Sequence, residues 1–258
     1  MSKPKTVTKC IVDSDIVAYR AAAGTEGQSP RDTEEKVDLL MNYIVGETVV
    51  FPTGDNLECY LTGKGNFRYD VAKTAPYKGN RANVPKPSNL PEARAWLQHK
   101  WGAIISEGEE ADDLIGIASA RGDPETTVVC TIDKDMMQLQ GWNFNFVKNE
   151  WTYNTKKSGN KFFYTQILTG DSADNIKGIH RTGPVKAGKI LEGLTTEQEL
   201  YDACVQSYTV SGEALNVNPE DRYDWATERV LENARLLWLR RYEGQMWEPP
   251  TVTRELPE

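Results

Sequence analysis

Short apolar runs, most ending in a carboxylate or a turn, alternate along the chain with longer stretches whose apolar residues fall at helical spacing. Cys10, Ile11 and Val12 run into Asp13 and read as a first strand, with a helix beginning over residues 16–23. Val37, Leu40, Met41 and Ile44 recur at the spacing of one helix face, which predicts a helix over 34–45. Residues 48–51 and 58–61 read as short strands. Residues 91–101 read as a helix with Pro91 in its first turn, where a missing N–H does no harm. Residues 103–105 are the next strand, and Ala111, Leu114, Ile115 and Ala118 then give a helix an inward apolar face. Residues 128–132 form the clearest buried strand, and 143–153 alternate loosely, as an outer strand does.

Strands and helices in this alternation imply an α/β fold with a mainly parallel central sheet flanked by helices. In such sheets ligands gather beyond the carboxyl ends of the strands. After about Phe162 the pattern turns helical, so a core over 1–162 and a helical region over 163–258 are expected. Residues 63–91 are polar, rich in Gly, Pro and Asn, and long for a plain connection, which marks them as functional. Residues 206–224 contain a loop, and 219–242 read as a long final helix with Ala226, Val230, Leu231, Ala234, Leu237 and Trp238 on its inner face. Trp96, Trp101, Trp225 and Trp238 are expected to pack rather than to stack on bases.

Composition adjusts this picture in three places. The net charge of −8 argues against a nucleic-acid partner until its distribution is considered. Lys64, Arg68, Lys73, Lys78, Arg81 and Lys86 are opposed by Asp70 alone, and Lys177, Arg181, Lys186 and Lys189 by no acid. Cys10, Cys59, Cys130 and Cys204 are far apart with no CxxC pair, so buried free thiols and a reducing compartment are expected. No apolar stretch is long enough to span a bilayer and no basic-plus-apolar leader opens the chain, which points to a cytoplasmic protein with no membrane partner.

The chemistry lies in the acids. Glu109-Glu110-Ala111-Asp112-Asp113, Asp133-Lys134-Asp135 and Gly170-Asp171-Ser172-Ala173-Asp174-Asn175 follow in order, after an earlier pair, Asp13 and Asp15. Carboxylates gathered at strand ends repel one another unless a cation lies among them, and hard divalent ions such as Mg²⁺ suit oxygen ligands. Residues 176–187 have the form of a helix-hairpin-helix, with Gly178 and Gly183 allowing a tight turn and Ile176, Ile179 and Ala187 available to pack two helices. Such a turn grips successive phosphates through main-chain N–H groups without reading bases. The same residues also suit an ordinary turn with a solvated basic face.

EGEEADD, TIDKD, GDSADNI and the hairpin, in this order, resemble the flap endonuclease and 5′-nuclease family, particularly its bacteriophage 5′–3′ exonucleases. APYKGNR, residues 75–81, matches the start of that family's helical arch or clamp, expected here over 64–101. The resemblance covers nearly the whole chain and implies a PIN-like core and a two-metal mechanism with two Mg²⁺, for which Mn²⁺ can substitute. It implies Asp13, Glu110, Asp112, Asp113, Asp133, Asp135, Asp171 and Asp174 as metal ligands, and Lys78 and Arg81 as the catalytic basic residues whose positive charge contacts the scissile phosphate. Lys73, Lys177, Gly178, His180, Arg181, Gly183, Lys186 and Lys189 are the DNA-contact candidates, with a monovalent cation such as K⁺ at the hairpin. The implied partner is DNA with a 5′ end, a flap or a single-strand junction. The implied protein is a monomer acting in DNA replication, in the host cytoplasm if phage-encoded.

Two departures qualify the match. Many relatives carry an Asp where this chain reads Leu61-Thr62-Gly63-Lys64, so Glu58 or Asp70 substitutes or the first metal site keeps more waters. Only about thirty residues separate Lys78 from Glu110, which points to an open clamp or lid rather than a closed arch. Asp15 reads as a helix N-terminal acid, stabilised by the helix dipole by about 0.5 kcal/mol, and Glu109 as solvated. The competing readings are a structure-specific DNA-binding protein with weakened catalysis, a PIN-like ribonuclease, and a small-molecule phosphatase. Neither of the last two needs the hairpin.

Overall fold

In the computed structural model, which describes residues 3–48, 56–81 and 84–250, the strand β1 (Lys9–Asp13) lies inside a six-stranded sheet. Its sequence requires this position. Cys10 and Val12 face one side and Ile11 the other, all fully buried, so both faces need covering. The chain supplies α1 (Ser14–Gly24), α2 (Pro30–Thr48), β2 (Leu57–Lys64), α3 (Arg68–Val71), α4 (Leu90–Trp101) and β3 (Ile104–Glu107). Then follow α5 (Ala111–Arg121), β4 (Thr127–Cys130), β5 (Gly141–Asn145) and β6 (Glu150–Asn154). The sheet runs β3-β2-β1-β4-β5-β6, parallel throughout except for the antiparallel β5–β6 pair. The expected mainly parallel sheet is therefore present.

Helices α1, α2 and α4 cover one face, where Val17, Ala21, Val37, Met41 and Leu97 pack on Cys10, Val12, Leu61 and Phe144. On the other face α5 lays Ala111, Ile115 and Ala118 on Ile11, Tyr60 and Val129. Each fully buried aliphatic chain of this kind contributes about 1.5–3 kcal/mol. Cys10 and Cys130, on neighbouring strands, bring their sulfurs to 3.5 Å as free buried thiols, and burial pushes the Cys130 thiol well up. Trp96 and Trp101 pack at the edge of the first core and both donate to Asp38 Oδ1 at 2.9 Å.

By contact density the chain divides into two units. One comprises Met1–Phe67, Val84–Lys156 and Leu239–Gln245, and the other Arg68–Asn83, Lys157–Trp238 and Met246–Glu258. The second unit contains α6 (Lys156–Thr169), β7 (Gly170–Asp171), β8 (Ile176–Lys177), α7 (Pro184–Ile190), α8 (Glu197–Ala214) and α9 (Arg222–Leu237). Phe163, Ile167, Leu200, Cys204, Val230 and Ala234 form its core. Among the described residues no helix is long and apolar enough to cross a membrane.

Several expected elements differ. The single outer strand is a hairpin, β5 and β6, in which Phe144 stacks on its register partner Trp151 at 4.5 Å. Its turn is set by Asn145 Oδ1, which accepts from Val147 and Lys148 N–H, and by Asn149 at φ 54°. Thr48 closes α2, so the strand expected at 48–51 is not there at its first residue; residues 49–51 lie outside the described residues. Residues 176–187 hold one helix rather than two. Ile176–Lys177 pairs antiparallel with Gly170–Asp171, and a Cβ on Gly178 would sit 2.2 Å from the Thr169 carbonyl carbon. That close backbone contact commits the first half of the segment to a strand and turn, and only Pro184 restarts a helix. The final helix stops at Leu237 because the buried Arg68 side chain donates to the Leu236 and Trp238 carbonyls, each at 2.8 Å. Helix α4, within the expected arch segment, buries Ala93 and Leu97 in the first core.

Gly63 lies where β2 meets β3, and a Cβ there would stand 1.9 Å from the Ser106 carbonyl oxygen. Gly63→Ala is therefore expected to cost about 2 kcal/mol or more in urea unfolding. An unchanged midpoint and slope would contradict this strand register.

Candidate active site

The strand order changes direction at β1, whose two neighbours are β2 and β4. The crevice beyond the carboxyl ends of β1 and β4 is where open α/β sheets hold ligands. Asp13 ends β1 and caps α1, accepting from Ile16 N–H at 3.3 Å. It is 3 % exposed. The Thr131 hydroxyl donates to Asp13 Oδ2 at 2.7 Å and accepts from Asp133 N–H at 2.9 Å, tying the end of β4 to the end of β1. Asp133 Oδ1 in turn accepts from Asp135 N–H at 2.8 Å, which sets the 3-10 turn Lys134–Gln138. Burial, and then the charges of Asp15 and Asp133, push the Asp13 carboxyl up to about 7 against the one opposing hydroxyl and one N–H.

Beyond β3, Glu110 caps α5 and is buried, while Asp112 and Asp113 occupy the helix's first turn. Negative charge there suits the helix dipole. Asp113 is fully buried; its Oδ2 accepts from Glu110 N–H at 3.2 Å and its Oδ1 from Arg240 N–H at 3.3 Å. Thr62, in the stretch Leu61-Thr62-Gly63-Lys64 that carries no Asp, accepts Ala111 N–H at 3.0 Å on its hydroxyl. Its own N–H donates to Asp15 at 2.8 Å, and Arg94 binds Asp15. Asp15 thus joins β2 to α4. Glu58 does not stand in for the missing acid, because it lies near the amino end of β2, paired with Lys9 at 2.7 Å. Glu109, expected to be solvated, is buried with Arg240 at 2.8 Å.

In the second unit the two motifs meet. Lys78 N–H donates to the Asp174 carbonyl at 2.9 Å, Asn175 donates to the Pro76 carbonyl at 2.9 Å and Asn80 to the Ser172 carbonyl at 2.8 Å. The Asp174 carboxylate accepts from the Tyr77 hydroxyl at 3.0 Å and pairs with Arg81 at 3.1 Å and Lys78 at 3.9 Å. Lys78 sits at φ 53°, a left-handed conformation that costs a non-glycine residue about 1 kcal/mol or more and that these bonds enforce. Asp171 is buried and accepts from Ala173 N–H at 2.7 Å. Glu232 accepts from Lys73 and Thr74 N–H at 2.8 and 2.7 Å, anchoring the start of the basic segment to α9.

Lys177, His180, Arg181, Gly183, Lys186 and Lys189 are exposed, and Gly178 is half-buried. Asn233, 1 % exposed, donates to the Lys177 carbonyl at 2.9 Å, which pins the approach to this basic face. Thr131, Thr62, Arg94, Tyr77, Asn233 and Arg240 were not legible as parts of a site. Two carried a signal: Thr131, as a hydroxyl between a buried strand and Asp133, and Tyr77, inside APYKGNR. Among the described residues no three His, Cys, Asp or Glu side chains close into a metal-holding group. Like-charged carboxylates keep apart unless a cation lies between them. The donors nonetheless fit one, since they are carboxylates and the buried Asp13 carries two acidic neighbours.

Residues 8–163 match the family model of the 5′-3′ exonuclease N-terminal resolvase-like domain. The chain is 26 % identical over 217 residues to a 5′-3′ exonuclease of Mycoplasma genitalium, covering 74 % of each. It is 29 % identical over 140 residues to DNA polymerase I of Deinococcus radiodurans, covering 49 % of this chain and 15 % of that protein. The chain therefore matches only a small part of that longer relative. Among solved structures, the T5 5′-exonuclease with bound zinc superposes with a TM-score of 0.67 at 17 % identity, over 89 % of this chain and 88 % of that one. The bacteriophage T5 flap endonuclease in a complex with DNA and metal ions gives 0.56 at 17 % identity, over 87 % and 98 %. At these identities the structural likeness shows the fold.

A buried carboxyl raised from 3.8 to about 7 makes the folded state take its proton at higher pH than the unfolded state. Stability is then lost as pH rises from about 4 through 7, by up to about 4 kcal/mol. Asp13→Asn lacks this loss. In EDTA its unfolding free energy is expected to exceed the wild type's by an amount that grows from pH 4 to 7 and stays flat above. Parallel pH profiles for the two proteins would contradict it.

Proposed function

Because the chain belongs to the 5′–3′ exonuclease family, we propose that it is a divalent-metal-dependent 5′ nuclease that hydrolyses DNA phosphodiesters from a 5′ end and at flaps. The observation that carries this reading is the buried Asp13 at the β1–β4 crevice, with Asp15 and Asp133 raising its affinity for positive charge. Asp13, Glu110, Asp112, Asp133 and Asp135, with Asp113 beside them, are the carboxylates of the first unit that would hold Mg²⁺ or Mn²⁺. Asp171 and Asp174 are those of the second. Mg²⁺ keeps several waters and takes one or two carboxylates directly, which suits acids that are near one another without closing a cage. When bound, a pair of such ions lowers the pKa of water and stabilises charge on the leaving oxygen.

The protein's own part is charge and position. Lys78 and Arg81, fixed beside Asp174, offset charge that develops on the phosphate oxygens. Lys73 and the exposed face around Lys177, Gly178, His180, Arg181, Gly183, Lys186 and Lys189 grip the DNA backbone without reading bases, with a monovalent cation such as K⁺ at the turn. Residues 1–162 carry most of the hydrolytic acids and the clamp segment 64–101, and 163–258 the grip on duplex. The products are 5′-phosphates and 3′-hydroxyls, made by a cytoplasmic monomer. Neither histidine is required as a base. The second reading is a DNA-binding protein with weakened catalysis, favoured by the lack of an Asp in Leu61-Thr62-Gly63-Lys64. That reading expects tight binding to branched DNA and no cleavage at any Mg²⁺ or Mn²⁺ concentration.

Duplex and flap DNA labelled at the 5′ or 3′ end separates these readings when incubated with the protein in Mg²⁺ and in EDTA. Short 5′-labelled products in Mg²⁺ alone are expected. Equal cleavage in EDTA, or products released from the 3′ end, would overturn the nuclease assignment. Asp135→Asn and Asp174→Asn are expected to abolish cleavage with the circular dichroism of the fold intact. Lys78→Ala is expected to lower kcat by about 10²–10³ while leaving KM near the wild-type value. An unchanged kcat would remove that role.

A further inference from the structure

After α9 the chain contributes a strap, Leu239–Gln245, to the first unit. Leu239 is buried among Ala111, Ile115 and Met136, and its N–H approaches Gln138 Oε1 at 3.4 Å. Arg240 lays its guanidinium 4.0 Å from the Phe67 ring centroid, binds Glu109 at 2.8 Å and donates through its backbone to Asp113 at 3.3 Å. Arg241 donates to the Gln138 carbonyl at 3.2 Å and through its backbone to Gln245 Oε1 at 2.6 Å. The approach is close enough that a Cβ on Gly116 would stand 2.4 Å from the Arg240 carbonyl oxygen. One strap therefore touches both the start of α5 and the 3-10 turn Lys134–Gln138. Those two segments carry Glu110 and Asp112 on one side, and Asp135, with Asp133 at its cap, on the other.

We propose that this strap sets the spacing between the two acid-bearing segments, with Arg240 as a positioning residue and Asp113 as an organising carboxylate rather than a metal ligand. The inference rests on the metal-dependent reading above. Asp113 has both oxygens engaged by main-chain N–H groups, and burial leaves it no open side, whereas Asp112 is half-buried. Arg240 is 12 % exposed and its partner Glu109 is equally enclosed, so the pair fixes geometry instead of adding surface charge. Partners that orient ligands in this way typically change metal affinity by about 10–100-fold when removed.

The test is Mn²⁺ titration of the full chain followed by electron paramagnetic resonance, at a temperature where circular dichroism shows each variant folded. Arg240→Ala and Gly116→Ala are expected to weaken Mn²⁺ binding about 10–100-fold with unchanged stoichiometry. The Mg²⁺ concentration for half-maximal cleavage should rise in step, with kcat restored at saturating Mg²⁺ and KM for DNA unmoved. Asp113→Asn should keep the wild-type stoichiometry, whereas Asp112→Asn should lose an ion. Arg31→Ala, which breaks an exposed pair with Glu35 on α2, away from the strap, should change none of these.

Folded Arg240→Ala and Gly116→Ala proteins with wild-type Mn²⁺ affinity would overturn the proposal, as would an ion lost in Asp113→Asn. If Arg240→Ala does not fold, Gly116→Ala decides, because it shifts the strap without leaving Glu109 unpaired. Wild-type protein that binds no Mn²⁺ overturns the metal-dependent reading itself. Binding by the wild type with unaltered variants overturns the strap alone.

Discussion

A carboxylate that is buried, and that has acidic neighbours, is the constraint on which the rest of the first unit turns. Asp13 cannot leave its position, since it ends a strand apolar on both faces and caps the helix that follows. Parallel pairing of β1 with β4 then places the loop holding Asp133 and Asp135 beside it. Thr131 holds the two strand ends together through one hydroxyl. The folded chain carries a local cost here, because the Thr131 hydroxyl and the Ile16 N–H do not offset burial and the two acidic neighbours. Stability given up locally in this way is common at functional sites.

The second unit solves the opposite problem. Its cations need fixed places, and the sequence supplies them through main-chain bonds between segments almost one hundred residues apart. Tyr77, Asn80, Asp174 and Asn175 lace the two motifs together, so Lys78 and Arg81 stand at set distances from one carboxylate. The basic face around α7 is left exposed. A net charge of −8 hides this segregation of acids and bases.

Much of the fold was readable because the apolar pattern was strong where the sheet is buried on both faces, as in β1 and β4. It failed where tertiary contacts decide local structure. Arg68 ends α9 by taking carbonyls from a distant part of the chain, and the closeness of Gly170 and Gly178 turns an expected helix into a strand. The acids could be named from their motifs, but not what holds them. Arg240 lies in a stretch with no periodicity, and its partners Glu109 and Asp113 lie more than one hundred residues away. Glu109 looked solvated for the same reason. Nothing local to it reveals a buried counter-ion.

The central claim is that acids at the carboxyl ends of β1 and β4 form a seat for divalent ions. Crystals grown with Mn²⁺ and measured at its absorption edge test this directly. The account predicts anomalous peaks at about 2.0–2.2 Å from carboxylate oxygens of Asp13 and its neighbours in that crevice. A map with no peak there, from protein shown to cleave DNA in the same Mn²⁺ buffer, would contradict it.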